Sequence, residues 1–164
     1  MPELDDASFA KYFGRMKTRN ILGAATLAAC SFFAGTLWAA KPEKASLESH
    51  IWSAADARTA KGSWGSISIY TEDGQPSAGT SSVLTAELTF LPGQQLQPPH
   101  QHPEEEFQYV VEGSGTWSLN GKEQPLKAGD LMYSKPMDWH GIRNSGAAPL
   151  RFFVFKWKTR SDAN

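Results

Sequence analysis

The stretch Gly93–Gly113 reads G-Q-Q-L-Q-P-P-H-Q-H-P-E-E-E-F-Q-Y-V-V-E-G, and its reading decides the fold. It holds His100, His102 and Glu106 in an H-x-H-x3-E spacing. Residues two apart on an extended chain point to the same face, so the two imidazoles share one side. Pro103 and the acidic residues after it break that extended run. A strand is predicted from about Glu105 through Val111, closed by a turn at Glu112-Gly113. Two imidazoles and one carboxylate on neighbouring strands can converge on a point, a donor set that suits iron, manganese, nickel, zinc or copper.

Further along, Gly129–Asn144 reads G-D-L-M-Y-S-K-P-M-D-W-H-G-I-R-N, with His140 at the head of a strand ending at Asn144. Together the two segments resemble the paired motifs of the cupin superfamily, G-x5-H-x-H-x3,4-E-x6-G and G-x5-P-x-G-x2-H-x3-N. The resemblance covers roughly residues 83 to 156. It departs from the motifs in one extra residue before His100, in Pro136 one place late, and in Asp138 standing where the motif has glycine. The resemblance implies an all-β, double-stranded β-helix (jelly-roll) barrel, with His100, His102, Glu106 and His140 as ligands of one divalent transition metal. Cupins host many unrelated chemistries, so the resemblance carries fold more than function.

Working outward, the rest of the chain fits such a barrel. Gly65–Thr71 alternates as a half-buried strand, Val83–Leu91 follows after a small-residue loop, and Thr116–Leu119 turns at Asn120-Gly121, a hairpin signal. Leu131–Ser134 is another short strand, and Leu150–Lys158 is a closing strand apolar on both faces over most of its length. Seven or eight strands are expected. Trp64, Trp117, Trp139, Phe152, Phe153, Phe155 and Trp157 are read as core or dimer contacts. Strand parity puts Gln108 and Val110 on the face of Glu106, and Ile142 and Asn144 on that of His140. Gln108 and Asn144 are therefore candidates for supporting the metal ligands. Glu104 and Glu105 are read as surface charge, and His50 as a packing or surface histidine. No cluster of Arg, Lys or Tyr is visible beside the ligands. Arg143, the nearest cation in sequence, points away from His140.

Before the barrel, Met16–Asn20 is a short basic start, Ile21–Ala40 an apolar run, and Lys41-Pro42-Glu43-Lys44 a polar break. This order reads as a secretory signal cleaved near Ala39 or Ala40, with Met16 rather than Met1 as a candidate start. An uncleaved signal or anchor helix is the alternative, since the run is close to the length that spans a bilayer. Leu27-Ala28-Ala29-Cys30 also resembles a lipoprotein box. The expected division is 1–40 extension and signal, 41–62 arm, 63–158 barrel, 159–164 tail.

The chain has 164 residues and a formal net charge of −1, without a basic stripe, which gives no footprint for nucleic acid. One cysteine leaves no pair for a disulfide. The expected partners are a small-molecule ligand or substrate and a second copy in a homodimer, with a membrane only through the N-terminal segment. The expected location is periplasmic or secreted. The expected function is a metal-dependent enzyme on a small organic molecule, of dioxygenase, isomerase or lyase type. The alternative is a non-catalytic, metal-dependent binding protein.

Overall fold

A computed structural model describes residues 44–160. The readings at Met16, Cys30 and Ala39-Ala40 lie outside the described residues. Nine strands follow in chain order: β1 (Arg58–Gly62), β2 (Gly65–Thr71), β3 (Thr80–Phe90), β4 (Glu105–Glu112), β5 (Ser114–Leu119), β6 (Lys122–Lys127), β7 (Leu131–Ser134), β8 (His140–Arg143) and β9 (Leu150–Thr159). They form two antiparallel sheets, ordered β1-β2-β3-β9-β4-β7 and β6-β5-β8. The jelly-roll expectation is met.

The alternation of apolar residues explains why the sheets face each other. Along β3 every second residue is buried, and Leu84, Ala86, Leu88 and Phe90 point inward. Leu150, Phe152 and Val154 do the same on β9, and Phe90 meets Phe152 edge-to-face at 5.1 Å. Val110 from β4 and Ile142 from β8 complete the layer. Burial of one large apolar side chain stabilises by about 1.5–3 kcal/mol, so this interior layer dominates the fold's stability.

The hairpin at Asn120-Gly121 forms as the dipeptide predicts. Both residues take positive φ (49° and 79°), and Leu119 pairs with Lys122 across a two-residue loop. That turn matches the twist of the flanking strands. Gly113, at φ 85°, joins β4 to β5 where a Cβ would run into the Pro149 carbonyl. Asn144 is fully buried and fastens the end of β8. Its amide donates to the carbonyls of Phe90 and Ala148, both at 2.9 Å, and accepts from the Gly146 N–H at 2.9 Å.

Three sequence expectations need adjusting. β1 lies within residues 41–62, read as an arm, and pairs with β2. β3 begins at Thr80, inside the stretch read as a loop. The aromatic residues split into two groups. Trp64, Trp117 and Phe152 are core, whereas Trp139 and Phe155 are 51% and 43% exposed. Phe155 belongs to an aromatic surface on the outer side of the larger sheet, where Phe107 lies 4.8 Å from Tyr133 and stacks on Trp157 at 5.6 Å.

Candidate metal centre

Two prolines, Pro98 and Pro99, end a bent segment just before His100, whose backbone then bridges to His140. His100 N–H donates to His140 O at 2.9 Å, and His140 N–H donates to His100 O at 2.8 Å. The two sequence motifs are thus tied by their own main chains at the point where their imidazoles meet. His102 lies beyond the bridge, in a turn held by the Met137 N–H donating to its carbonyl at 2.8 Å. The two imidazoles still converge, but the extended pairing ends at His100.

Each of the three histidines offers one nitrogen, and those nitrogens lie within 4.8 Å of one another. His140 is fully buried, and its Nδ1–H donates to the Asp138 carbonyl at 2.8 Å. In the neutral ring this fixes the tautomer and leaves a lone pair on Nε2. That Nε2 is buried and has no hydrogen-bond partner among the described residues. Glu106, 5% exposed, enters from the second residue of β4. It accepts from His102 Nε2 at 3.2 Å and lies 3.5 Å from His140 Nε2. It also takes a short hydrogen bond from Gln108 Nε2.

The electrostatics follow from this crowding. Burial pushes the Glu106 carboxyl up, but the hydrogen bond from His102 and the nearby His140 ring outweigh it and bring it down to about 2. Burial lowers His100 to about 4, helped by the neighbouring His140. Burial also acts to lower His140, but the Glu106 carboxylate and the Asp138 carbonyl overcome it and raise the ring above its ordinary value. At neutral pH the site therefore presents an ionised carboxylate and a deprotonated His100, the forms in which both groups ligate.

The residues fit a metal ion. Three nitrogens held at about 2.0–2.1 Å by one tetrahedral ion lie about 3.4 Å apart, so the widest pair here, within 4.8 Å, would close by up to about 1.4 Å on binding. An orphaned, buried imidazole nitrogen beside an ionised carboxylate is otherwise costly. The cluster borders an interior cavity of about 70 Å³. Leu88, Phe90 and Ile142 are among its apolar walls, and His100, Glu106, Gln108 and Lys156 supply polar ones.

Of the four residues expected as ligands, His100, His102 and His140 form one cluster, and Glu106 lies beside it, 3.2 Å from His102 Nε2 and 3.5 Å from His140 Nε2. Gln108 supports Glu106 directly, as parity suggested. Asn144 does not touch the cluster; its recorded hydrogen bonds go to backbone, so its role is to hold the loop after β8. Glu104 is not simple surface charge. Its side chain is 16% exposed, and its carboxylate lies 3.3 Å from His102 Nδ1. The residue with glycine-like geometry in the turn before His140 is Met137 (φ 66°), not Asp138. Counting from Gly129 rather than from Pro136 reaches it. Arg143 was the cation nearest the ligands in sequence, but in the fold a different one stands closer to them. Lys156, 9% exposed, is the cross-strand partner of Glu106 and lines the same cavity. The signal was present in the sequence, because Leu150, Phe152, Val154 and Lys156 share one parity on β9.

The fold is a cupin-type double-stranded β-helix, and its histidine triad is consistent with a transition-metal site. Comparison with known proteins agrees, for residues 86–156 match the cupin domain family. Over 71 residues the chain is 33% identical to an oxalate-binding protein of Thermotoga maritima, a match covering 43% of this chain and 59% of that protein. Over 72 residues it is 29% identical to a gentisate 1,2-dioxygenase of Aquipseudomonas alcaligenes, covering 43% of this chain and 20% of the dioxygenase. The barrel superposes on an RmlC-like cupin from Shewanella frigidimarina with a TM-score of 0.55 at 18% identity, covering 70% of this chain and 96% of that one.

Proposed function

We propose that the protein is a metal-dependent enzyme acting on a small organic molecule in the cell envelope. The observation that carries this reading is the convergence of His100, His102, His140 and Glu106 beside an interior cavity. These four residues would hold one divalent transition ion, which when bound supplies Lewis acidity or a template for orienting the substrate. Three neutral imidazoles and one carboxylate leave such an ion with a net charge of about +1. An ion that takes five or six ligands would keep open positions on these four residues, unlike a closed structural zinc site, which is often rich in cysteine.

The chain's own residues do the rest. Gln108 donates to Glu106 and holds its carboxylate in one orientation, while the buried Gln108 Oε1 has no hydrogen-bond partner among the described residues and can accept from a bound molecule. Gln97 lays its amide Nε2 2.9 Å from His100 Nε2, so it covers that ring from the cavity side. Leu88, Phe90, Ile142 and Phe152 exclude water and strengthen every polar contact inside.

Purified protein should carry one ion per barrel by elemental analysis. Metal-loaded protein should convert a small phenolic, sugar-like or carboxylated compound, as followed by mass spectrometry with and without dioxygen. The oxalate-binding relative supports a second reading, a protein that captures its ligand and returns it unchanged. Recovery of every bound compound intact would establish that reading in place of catalysis. Mass spectrometry of the mature N-terminus tests the envelope location; an intact chain from Met1 in the cytoplasm would remove it.

A further inference from the structure

Lys156 is a cation where the fold has no ordinary use for one. It stands on β9 at an inward position, continuing the row Leu150, Phe152, Val154, and it is only 9% exposed. Lysine is seldom buried without an anion to meet it. Its Cα partners are Leu84 on one side and Glu106 on the other, and Glu106 is in turn paired with Ser134. One inward row of the barrel therefore reads Leu84, Lys156, Glu106, Ser134. The Ser134 hydroxyl is buried and has no hydrogen-bond partner among the described residues. The Glu106 carboxylate is already engaged by His102, His140 and Gln108. The anion recorded against the Lys156 ammonium is Asp73, 3.5 Å away on a side chain that is 53% exposed. A long pair to a half-exposed carboxylate at the rim is weak.

We infer that Lys156 is the anion-recognising residue of the cavity, and that the molecule taken there is a short organic acid. Its carboxylate would meet the Lys156 ammonium, and a second oxygen-bearing end would face the histidine cluster. This rests on the metal-dependent reading above and selects the carboxylated class from the three named there. The cavity beside the cluster, about 70 Å³, has room for a compact mono- or dicarboxylate. Asp73 would then be a rim competitor that holds the ammonium until a ligand carboxylate replaces it.

The test uses full-length protein, metal-loaded and metal-free, with oxalate and malonate as probes and ethylene glycol as the neutral control. Metal content is measured before and after each calorimetric titration. Wild-type protein should bind a dicarboxylate and ignore the diol. Lys156→Met should keep its metal and lose at least about tenfold in affinity, the scale of a hydrogen bond to a charged group. Lys156→Arg should recover part of the loss, and Asp73→Asn should bind at least as tightly as wild type. If Lys156→Met fails to fold, Lys156→Gln takes its place. Equal dicarboxylate affinity in the wild type and in a metal-loaded Lys156 variant would overturn the inference and leave the metal reading standing. A protein that holds no metal yet shows a Lys156-dependent thermal shift with oxalate would uphold the inference while the metal reading falls. Absence of any dicarboxylate binding in both forms overturns it.

Discussion

At the cluster, each imidazole is steered by a different neighbour. Asp138 uses its carbonyl on His140 Nδ1, and Glu104 brings a carboxylate to 3.3 Å from His102 Nδ1. Groups that hold the far nitrogen of a ligating histidine typically account for about 10–100-fold in metal affinity. Glu104→Ala should therefore weaken metal binding by about tenfold in a competition titration at fixed pH, with Glu104→Gln intermediate. The titrating groups make a second prediction. His100, lowered to about 4, and Glu106, lowered to about 2, both favour the folded state in their deprotonated forms. Their contributions are complete above about 6.5 and 4.5 respectively, and are lost as the pH falls through about 4 and then about 2. His140, raised, acts oppositely: its contribution is present below about 6.5 and fades as the pH rises through its folded value. Urea denaturation should show stability falling from pH 6.5 towards 2 through His100 and then Glu106, and falling separately as the pH rises above 6.5 through His140. His100→Gln should remove the upper part of that fall. His100, His102, Glu106 and His140 were legible in the sequence through the resemblance of their two segments to the paired cupin motifs. Lys156 and Glu104 were not. A lysine on an apolar strand reads as a strand end until its parity is counted, and a glutamate in a run of three reads as solvated.

The elements differ in how openly they declare themselves. β2 and β7 occupy the residues that alternation assigns them, because each has one buried face. β6, K-E-Q-P-L-K, buries only Leu126. No pattern marks it as a strand; the Asn120-Gly121 turn folds it back onto β5, and Pro125 is tolerated because β6 is an edge. β1 was missed for a similar reason, since its polar residues gain order only by pairing with β2. The turn into β8 contains a residue under strain. Met137 holds a left-handed φ of 66° and is 53% exposed, so its side chain contributes little burial in return. The left-handed conformation costs an ordinary residue about 1–2 kcal/mol, and glycine gives back about 0.5–1 kcal/mol through chain entropy. Met137→Gly should thus stabilise by about 0.5 kcal/mol, visible as a small rise in Tm with unchanged metal content.

Across the whole molecule, the larger sheet has two unlike faces. The inner face closes the barrel; the outer face carries Phe107, Tyr109, Leu131, Tyr133, Phe153 and Phe155 in adjacent rows. Tyr109, Leu131, Tyr133 and Phe155 are each more than a third exposed. Strands spaced about 4.8 Å apart make a six-stranded face nearly 30 Å wide, enough for the roughly 800 Å² per partner that a stable interface buries. The expected outcome is a homodimer packed through this face. Sedimentation of the wild type should give twice the mass of the chain, and Phe155→Glu should shift the equilibrium strongly towards monomer.

The reciprocal bonds between His100 and His140 have a consequence for how the two layers hold together. Glu106 rides on the six-stranded sheet and His140 on the three-stranded one. An ion gripped by both would act as a rivet between layers, closing a loop of 34 residues (140 − 106) in a chain whose one cysteine cannot make a disulfide. Unlike a disulfide, this rivet would come out with a chelator and return with the metal. The barrel's cohesion would then report on the supply of metal around it, and amide exchange in β8 should quicken on chelation while β3 and β9, far better buried, keep their protection.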